Sequence, residues 1–102
     1  MNKCWLCGST GGYGFNRLEL HHIFSGNPNR KKSEKYGLVV WLCGETCHRN
    51  GPQAVHRNAE NMRKLRQWGQ RKAMQEQGWT IEDFIREFGR NYLEIDDDSD
   101  KI

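Results

Sequence analysis

Hydrophobic and polar positions along this chain follow two periods, one strand-like and one helical. Residues 17–24 alternate, which places Leu18 and Leu20 on one face of a short strand. Leu38-Val39-Val40-Trp41-Leu42 is a β-branched and aromatic run and gives the strongest strand signal. Between them, Ser25-Gly26-Asn27-Pro28-Asn29 is a dense turn signal, and a basic loop follows it. A helical turn is predicted to begin near residues 46–48 and to break at Gly51-Pro52. A longer helix is expected from residue 53 or 58 to about residue 75, with Met62, Leu65, Trp68 and Ala73 at roughly helical spacing. A last helix starts at Thr80, with Asp83 as its capping-box partner. Within it Ile81, Phe84, Ile85, Phe88 and Tyr92 form one stripe, which reads as core. No internal repeat is found.

These elements predict a small α+β domain. With 102 residues there is room for one domain, here residues 1–93, and residues 94–102 read as an acidic, disordered tail. Only 35% of residues are hydrophobic, and a core that thin needs a staple. No apolar run is long enough to span a membrane. The first residues carry no apolar signal region, so the protein is expected to be intracellular, with cysteines serving as metal ligands rather than disulfides.

Charge changes the picture further. Residues 1–72 hold 13 Lys/Arg against 4 Asp/Glu, a balance of +9, and residues 73–102 hold 3 against 9, a balance of −6. A basic body with an acidic tail suits a polyanion such as nucleic acid, although a solvated surface with a solubility tail has the same composition.

The cysteines fall in two pairs. Cys4-x-x-Cys7 has the spacing of a zinc knuckle, and Cys43-x-x-x-Cys47 is a second knuckle with a longer spacer. Together they form a closed tetrahedral shell, a structural zinc site that staples the N-terminal loop to the second strand. The four histidines, His21, His22, His48 and His56, lie near these pairs. Imidazoles are ligands for divalent ions, and one that titrates near neutrality can act as a general base. A metal and a base are the minimum for phosphodiester hydrolysis.

Leu18-Glu19-Leu20-His21-His22-Ile23, a strand ending Leu42-Cys43, and then Cys47-His48 resemble the HNH endonucleases of the ββα-metal fold. The likeness is greatest to their zinc-knuckle branch, which includes many small phage-encoded proteins. It covers residues 4–57, with residues 58–93 as a helical extension. It implies a ββα-metal core with structural zinc on Cys4, Cys7, Cys43 and Cys47, and a second, catalytic divalent ion such as Mg²⁺ or Mn²⁺. By that resemblance His21 is the first ligand of the catalytic ion, His22 the general base and His48 a second ligand. The family's last ligand lies one helical turn further on, where this chain has Pro52. His56 is then the candidate, with Asn50 as the alternative. Two departures stand out. Leu38 occupies the place of the family's middle asparagine, which braces the loop between the strands, and Asn27 or Asn29 is the available substitute. The second knuckle also has a three-residue spacer, which can shift His48.

The implied activity is metal-dependent cleavage or nicking of DNA, double-stranded and read with low sequence specificity. Arg30, Lys31, Lys32 and Lys35 between the strands, and Arg49, Arg57, Arg63 and Lys64 beyond the zinc site, are the candidate phosphate contacts. The resemblance also implies a cytoplasmic setting in a bacterial host, with phage packaging or recombination machinery as possible partners. The alternative function is a catalytically silent zinc-binding module that docks DNA or protein. The bland readings of single residues also stay open: His22 as a core or surface side chain, His48 as a zinc ligand or a helix cap, and His56 as an ordinary helix residue.

Overall fold

A computed structural model describes residues 2–10, 16–26 and 28–93. The predicted acidic tail, residues 11–14 of the Gly-rich loop and Asn27 lie outside the described residues. The elements run β1 (Leu18–His22), α1 (Asn29–Lys35), β2 (Val39–Cys43), a π-helix (Gly44–Arg49), α2 (Ala59–Gln77) and α3 (Ile81–Phe88). This is a small α+β fold. None of the described helices is long and apolar enough to cross a membrane.

β1 and β2 pair antiparallel, with Leu18 opposite Cys43, Leu20 opposite Trp41 and His22 opposite Val39. The pairing continues as Ile23 N–H donates to the Leu38 carbonyl at 3.0 Å. This register puts the His21-His22 end of β1 beside the start of β2 and sends Cys43 to the other end. The N-terminal knuckle joins the sheet there: Cys4 bridges Trp41, and Trp5 N–H donates to the Trp41 carbonyl at 2.8 Å.

Leu18 and Leu20 share a face of β1, as the alternation predicts, but it is not the more buried one. Leu20 is 43% exposed, whereas His21, on the opposite face, is buried. The inward face of β1 runs through His21 to Ile23, because α2 and the π-helix region cover that side. A two-stranded ribbon has one face left open, and the apolar alternation alone does not say which.

The segment read as a basic loop contains α1. Seven residues are too few to hold a helix by propensity, so tertiary contacts must do it. Ser33 is fully buried; its Oγ accepts from Phe24 N–H at 3.1 Å and donates to the Phe24 carbonyl at 2.8 Å. The Ser33 carbonyl accepts from Leu38 N–H at 2.7 Å. One residue thus ties the end of β1, α1 and the start of β2 together. Asn29 Nδ2 donates to the Phe88 carbonyl at 3.1 Å and Lys32 Nζ to the Glu87 carbonyl at 2.6 Å, docking α1 on the C-terminal end of α3.

The core lies between the sheet and the C-terminal helices. Phe24 packs against Phe84, Phe88 and Tyr92 with ring centroids 5.3, 4.9 and 5.2 Å away. Leu65 and Ala73 face inward as the helical spacing predicts. Trp68 does not: it is 38% exposed and packs on Trp5 of the knuckle. Gln70 takes an inward place instead. Its Nε2 donates to Asn91 Oδ1 at 2.7 Å and its Oε1 accepts from Tyr92 N–H at 2.7 Å, so burying it leaves neither end unpaired. The α3 stripe is narrower than predicted, because Phe84 and Phe88 are buried while Ile81 and Ile85 are each 38% exposed. The Thr80–Asp83 capping box forms as expected, with both reciprocal bonds present.

Gly69 of α2 packs directly against the residues that follow β1. A Cβ there would stand 2.8 Å from Ile23 Cγ2 and 3.3 Å from Phe24 Cε2. Gly69→Ala should therefore destabilise the domain by about 1–3 kcal/mol, despite the better helix propensity of alanine. Urea unfolding monitored by tryptophan fluorescence measures this; a variant at least as stable as the parent would contradict the packing described.

Candidate functional site

The two predicted metal-ligating groups form two separate clusters. The sulfur atoms of Cys4, Cys7, Cys43 and Cys47 all lie within 4.8 Å of one another. Cys7 Sγ and Cys43 Sγ are 3.7 Å apart, and the four cysteines are free thiols. Tetrahedral bonds of about 2.3 Å to a central ion separate the sulfurs by roughly 3.8 Å, so this spacing suits zinc. The first knuckle is formed by its own turn: Cys4 N–H donates to the Ser9 carbonyl and Gly8 N–H to the Cys4 carbonyl, at 2.8 and 2.9 Å. Cys7 N–H points at Cys4 Sγ, 3.4 Å away. Burial raises the Cys4 thiol, but the backbone N–H groups around it outweigh that and bring it down to about 7. Burial pushes Cys47 up to about 12. A dication between them would favour the thiolate form at all four positions.

The second knuckle sits at the junction of β2 and the π-helix. Its extra spacer residue is accommodated by the wide turn, whose i→i+5 bond runs from Asn50 N–H to the Glu45 carbonyl at 2.9 Å. Asn16 caps this turn: its Oδ1 accepts from the N–H groups of Glu45 and Thr46 at 3.0 and 2.9 Å. Cys47 then points to the sulfur cluster, and the next residue, His48, points away from it.

His48 meets His21 and His56, with one ligand nitrogen from each lying within 4.8 Å of the others. His21 Nδ1 and His48 Nε2 are 3.3 Å apart. His56 reaches the pair because the chain folds back on the π-helix. Val55 N–H donates to the Cys47 carbonyl at 2.8 Å, and His56 N–H to the His48 carbonyl at 3.3 Å. Gly51 makes the reversal possible, since a Cβ there would stand 2.3 Å from the Thr46 carbonyl oxygen. Asn50, the alternative to His56, instead donates from Nδ2 to Glu45 Oε2 at 2.6 Å.

Burial and neighbouring charge disfavour the protonated form of two of these imidazoles, His21 and His56. Burial, followed by the neighbouring charges of His48 and His56, pushes His21 down to about 3. Burial and the charges of His48 and Arg66 also lower His56. Glu19 lies behind His48, with Oε1 3.0 Å from Nδ1, and pairs with Arg49 as well. The hydrogen bond to His48, foremost, holds the Glu19 carboxyl below its ordinary value. An ionised carboxylate only accepts, so His48 Nδ1 carries the hydrogen, which in a neutral ring leaves Nε2 as the lone-pair nitrogen on the His21 side. Three ring nitrogens this close together form a donor set for a divalent ion, and imidazole suits later transition ions better than Mg²⁺.

His22 does not join the trio. Its Nε2 is 2.7 Å from Glu34 Oε2 on α1. It nevertheless lines the same cavity of about 290 Å³ as His21, His48 and His56, along with Leu20, Ser25 and Arg30.

The candidate phosphate contacts divide. Arg30, Lys31, Lys35, Arg57 and Lys64 are exposed. Lys32 is committed to α3, Arg49 to Glu19 and Glu45, and Arg63 to Glu60. Sequence reasoning missed the parts played by Asn16, Glu19, Ser33 and Glu34. Of these, only Glu19 carried a usable signal, two positions before His21 on the same strand face.

Set against protein-family models, curated proteins and solved structures, the chain matches none.

Two outcomes follow from this geometry. Removing zinc with a strong chelator should unfold the domain cooperatively, as read by circular dichroism alongside zinc release, and Cys43→Ser should behave like the stripped protein. Glu19→Ala should weaken binding of Ni²⁺ to the histidine trio of the zinc-loaded protein by about 10- to 100-fold. Calorimetric titration reads the latter, and an unchanged affinity would remove Glu19 from the site.

Proposed function

We propose that this chain is a metal-dependent endonuclease of HNH type that hydrolyses phosphodiester bonds in DNA. The observation that carries the reading is that His21, His48 and His56 converge in one cavity with a fourth imidazole, His22, held out of the trio. A pure binding module has no need of a base beside three metal-ligating nitrogens. The element order supports a ββα-metal core in which the π-helix and the turn after it replace the single helix that carries the late ligands in the family. Ser33 compensates for the missing asparagine, because it braces the segment between the strands.

His21, His48 and His56 would hold a divalent ion, whose charge would polarise the scissile phosphate and stabilise the departing oxygen. Glu19 orients His48 for this. His22, through Nδ1, takes a proton from a water molecule. The water oxygen bonds to phosphorus as the P–O bond to the leaving oxygen breaks. Arg30, on the rim of the same cavity, is placed to pair with a phosphate oxygen. Lys31, Lys35, Arg57 and Lys64 supply positive charge that does not depend on base sequence, which accords with low specificity.

The test is nicking of supercoiled plasmid by zinc-loaded protein supplied with Mg²⁺, Mn²⁺ or Ni²⁺, with His22→Ala alongside. Cutting that needs the added ion and falls by about 10²- to 10⁴-fold in the variant, with DNA binding retained, is the expected result. Salt-sensitive DNA binding without cutting by any ion would favour a silent zinc-binding module instead.

A further inference from the structure

We propose that Glu34 is a positioning residue for the base, holding His22 by Nε2 so that Nδ1 is the nitrogen presented to water. This rests on the nuclease reading above and names a part that the sequence resemblance does not supply.

α1 carries four cations, Arg30, Lys31, Lys32 and Lys35, and a single acid, Glu34. A carboxylate beside a phosphate-binding cavity repels the substrate, so its presence needs a reason. Its contact with His22 gives one. The 2.7 Å separation lies in the range of a charge-assisted hydrogen bond. Because the carboxylate only accepts, the hydrogen sits on His22 Nε2, and in the neutral ring Nδ1 is the lone-pair nitrogen. The His22 side chain is only 11% exposed, whereas that of Glu34 is 60% exposed. The acid therefore approaches from the solvent side of a ring that is otherwise enclosed.

The backbone fixes this approach. Ser33, the residue before Glu34, is fully buried and bonds both backbone groups of Phe24 through its hydroxyl. Phe24 lies two residues after His22. Glu34 and His22 thus emerge from two short segments clamped together one residue before the first and two after the second. The contact thereby fixes both the ring's orientation and which of its two nitrogens is left to face the cavity.

The experiment compares wild type, Glu34→Ala and Glu34→Gln as zinc-loaded full chains, using supercoiled plasmid and the ion that best supports cutting. Because Glu34 is largely exposed, its loss should lower kcat by about 10-fold, less than loss of the base itself. KM should stay level or fall, and thermal stability should be unchanged. Glu34→Gln keeps an accepting oxygen but not the charge, so its kcat should fall between the other two. Nitrogen NMR of the His22 ring gives a second readout. A slowly exchanging Nε2–H should be present in wild type and in Glu34→Gln and lost in Glu34→Ala. An unchanged or faster kcat with a lower KM in Glu34→Ala would show a surface acid that merely repels DNA, and would overturn the proposal. Persistence of the protected Nε2–H in that variant would overturn it as well. A wild type that leaves plasmid intact with every ion would sink the nuclease reading itself, a failure distinct from either.

Discussion

Cys43 ends β2 and Cys47 lies inside the turn that follows, so the meeting of these two sulfurs with Cys4 and Cys7 fixes the path of the chain through its middle. With 35% hydrophobic residues, the domain has little else to hold that path. The apolar core gathers around Phe24, Phe84 and Phe88, on the side where α1 meets α3. The sulfur cluster gathers the other end of the ribbon. Between these two anchors run the strands, and His21 belongs to the stretch that both of them hold.

What the sequence made legible follows from which forces are local. Val39 to Leu42 read correctly as a strand because β-branched and aromatic residues suit a half-covered pleat. Thr80 and Asp83 formed their box because capping depends only on residues three apart. The cysteine tetrad was legible from spacing alone, since a tetrahedral ion leaves few alternatives. By contrast, α1 has no local reason to be helical. It exists because Ser33, Asn29 and Lys32 find partners far along the chain, and no window of sequence shows those partners. The exposure of Leu20, Trp68, Ile81 and Ile85 was hidden for a related reason: periodicity says which residues share a face, and only packing says how much of that face is covered.

The candidate site was legible in its donors and opaque in its supports. Histidine is rare enough for its clustering to be noticed, whereas Glu19, Ser33 and Glu34 look like ordinary polar residues until the register of β1 and the course of α1 are known. His56 is intermediate. Its side chain made it a candidate, but its place beside His48 depends on two backbone hydrogen bonds across a reversal that a glycine permits.

Cys47 and His48 share a peptide bond, yet their side chains serve different clusters. The turn between them works as a lever: Asn16 holds its start, the sulfurs hold Cys47, and the Val55 N–H holds the Cys47 carbonyl. A displacement of Cys47 is therefore passed across one peptide unit to His48, and the two clusters are coupled mechanically although they share no ligand.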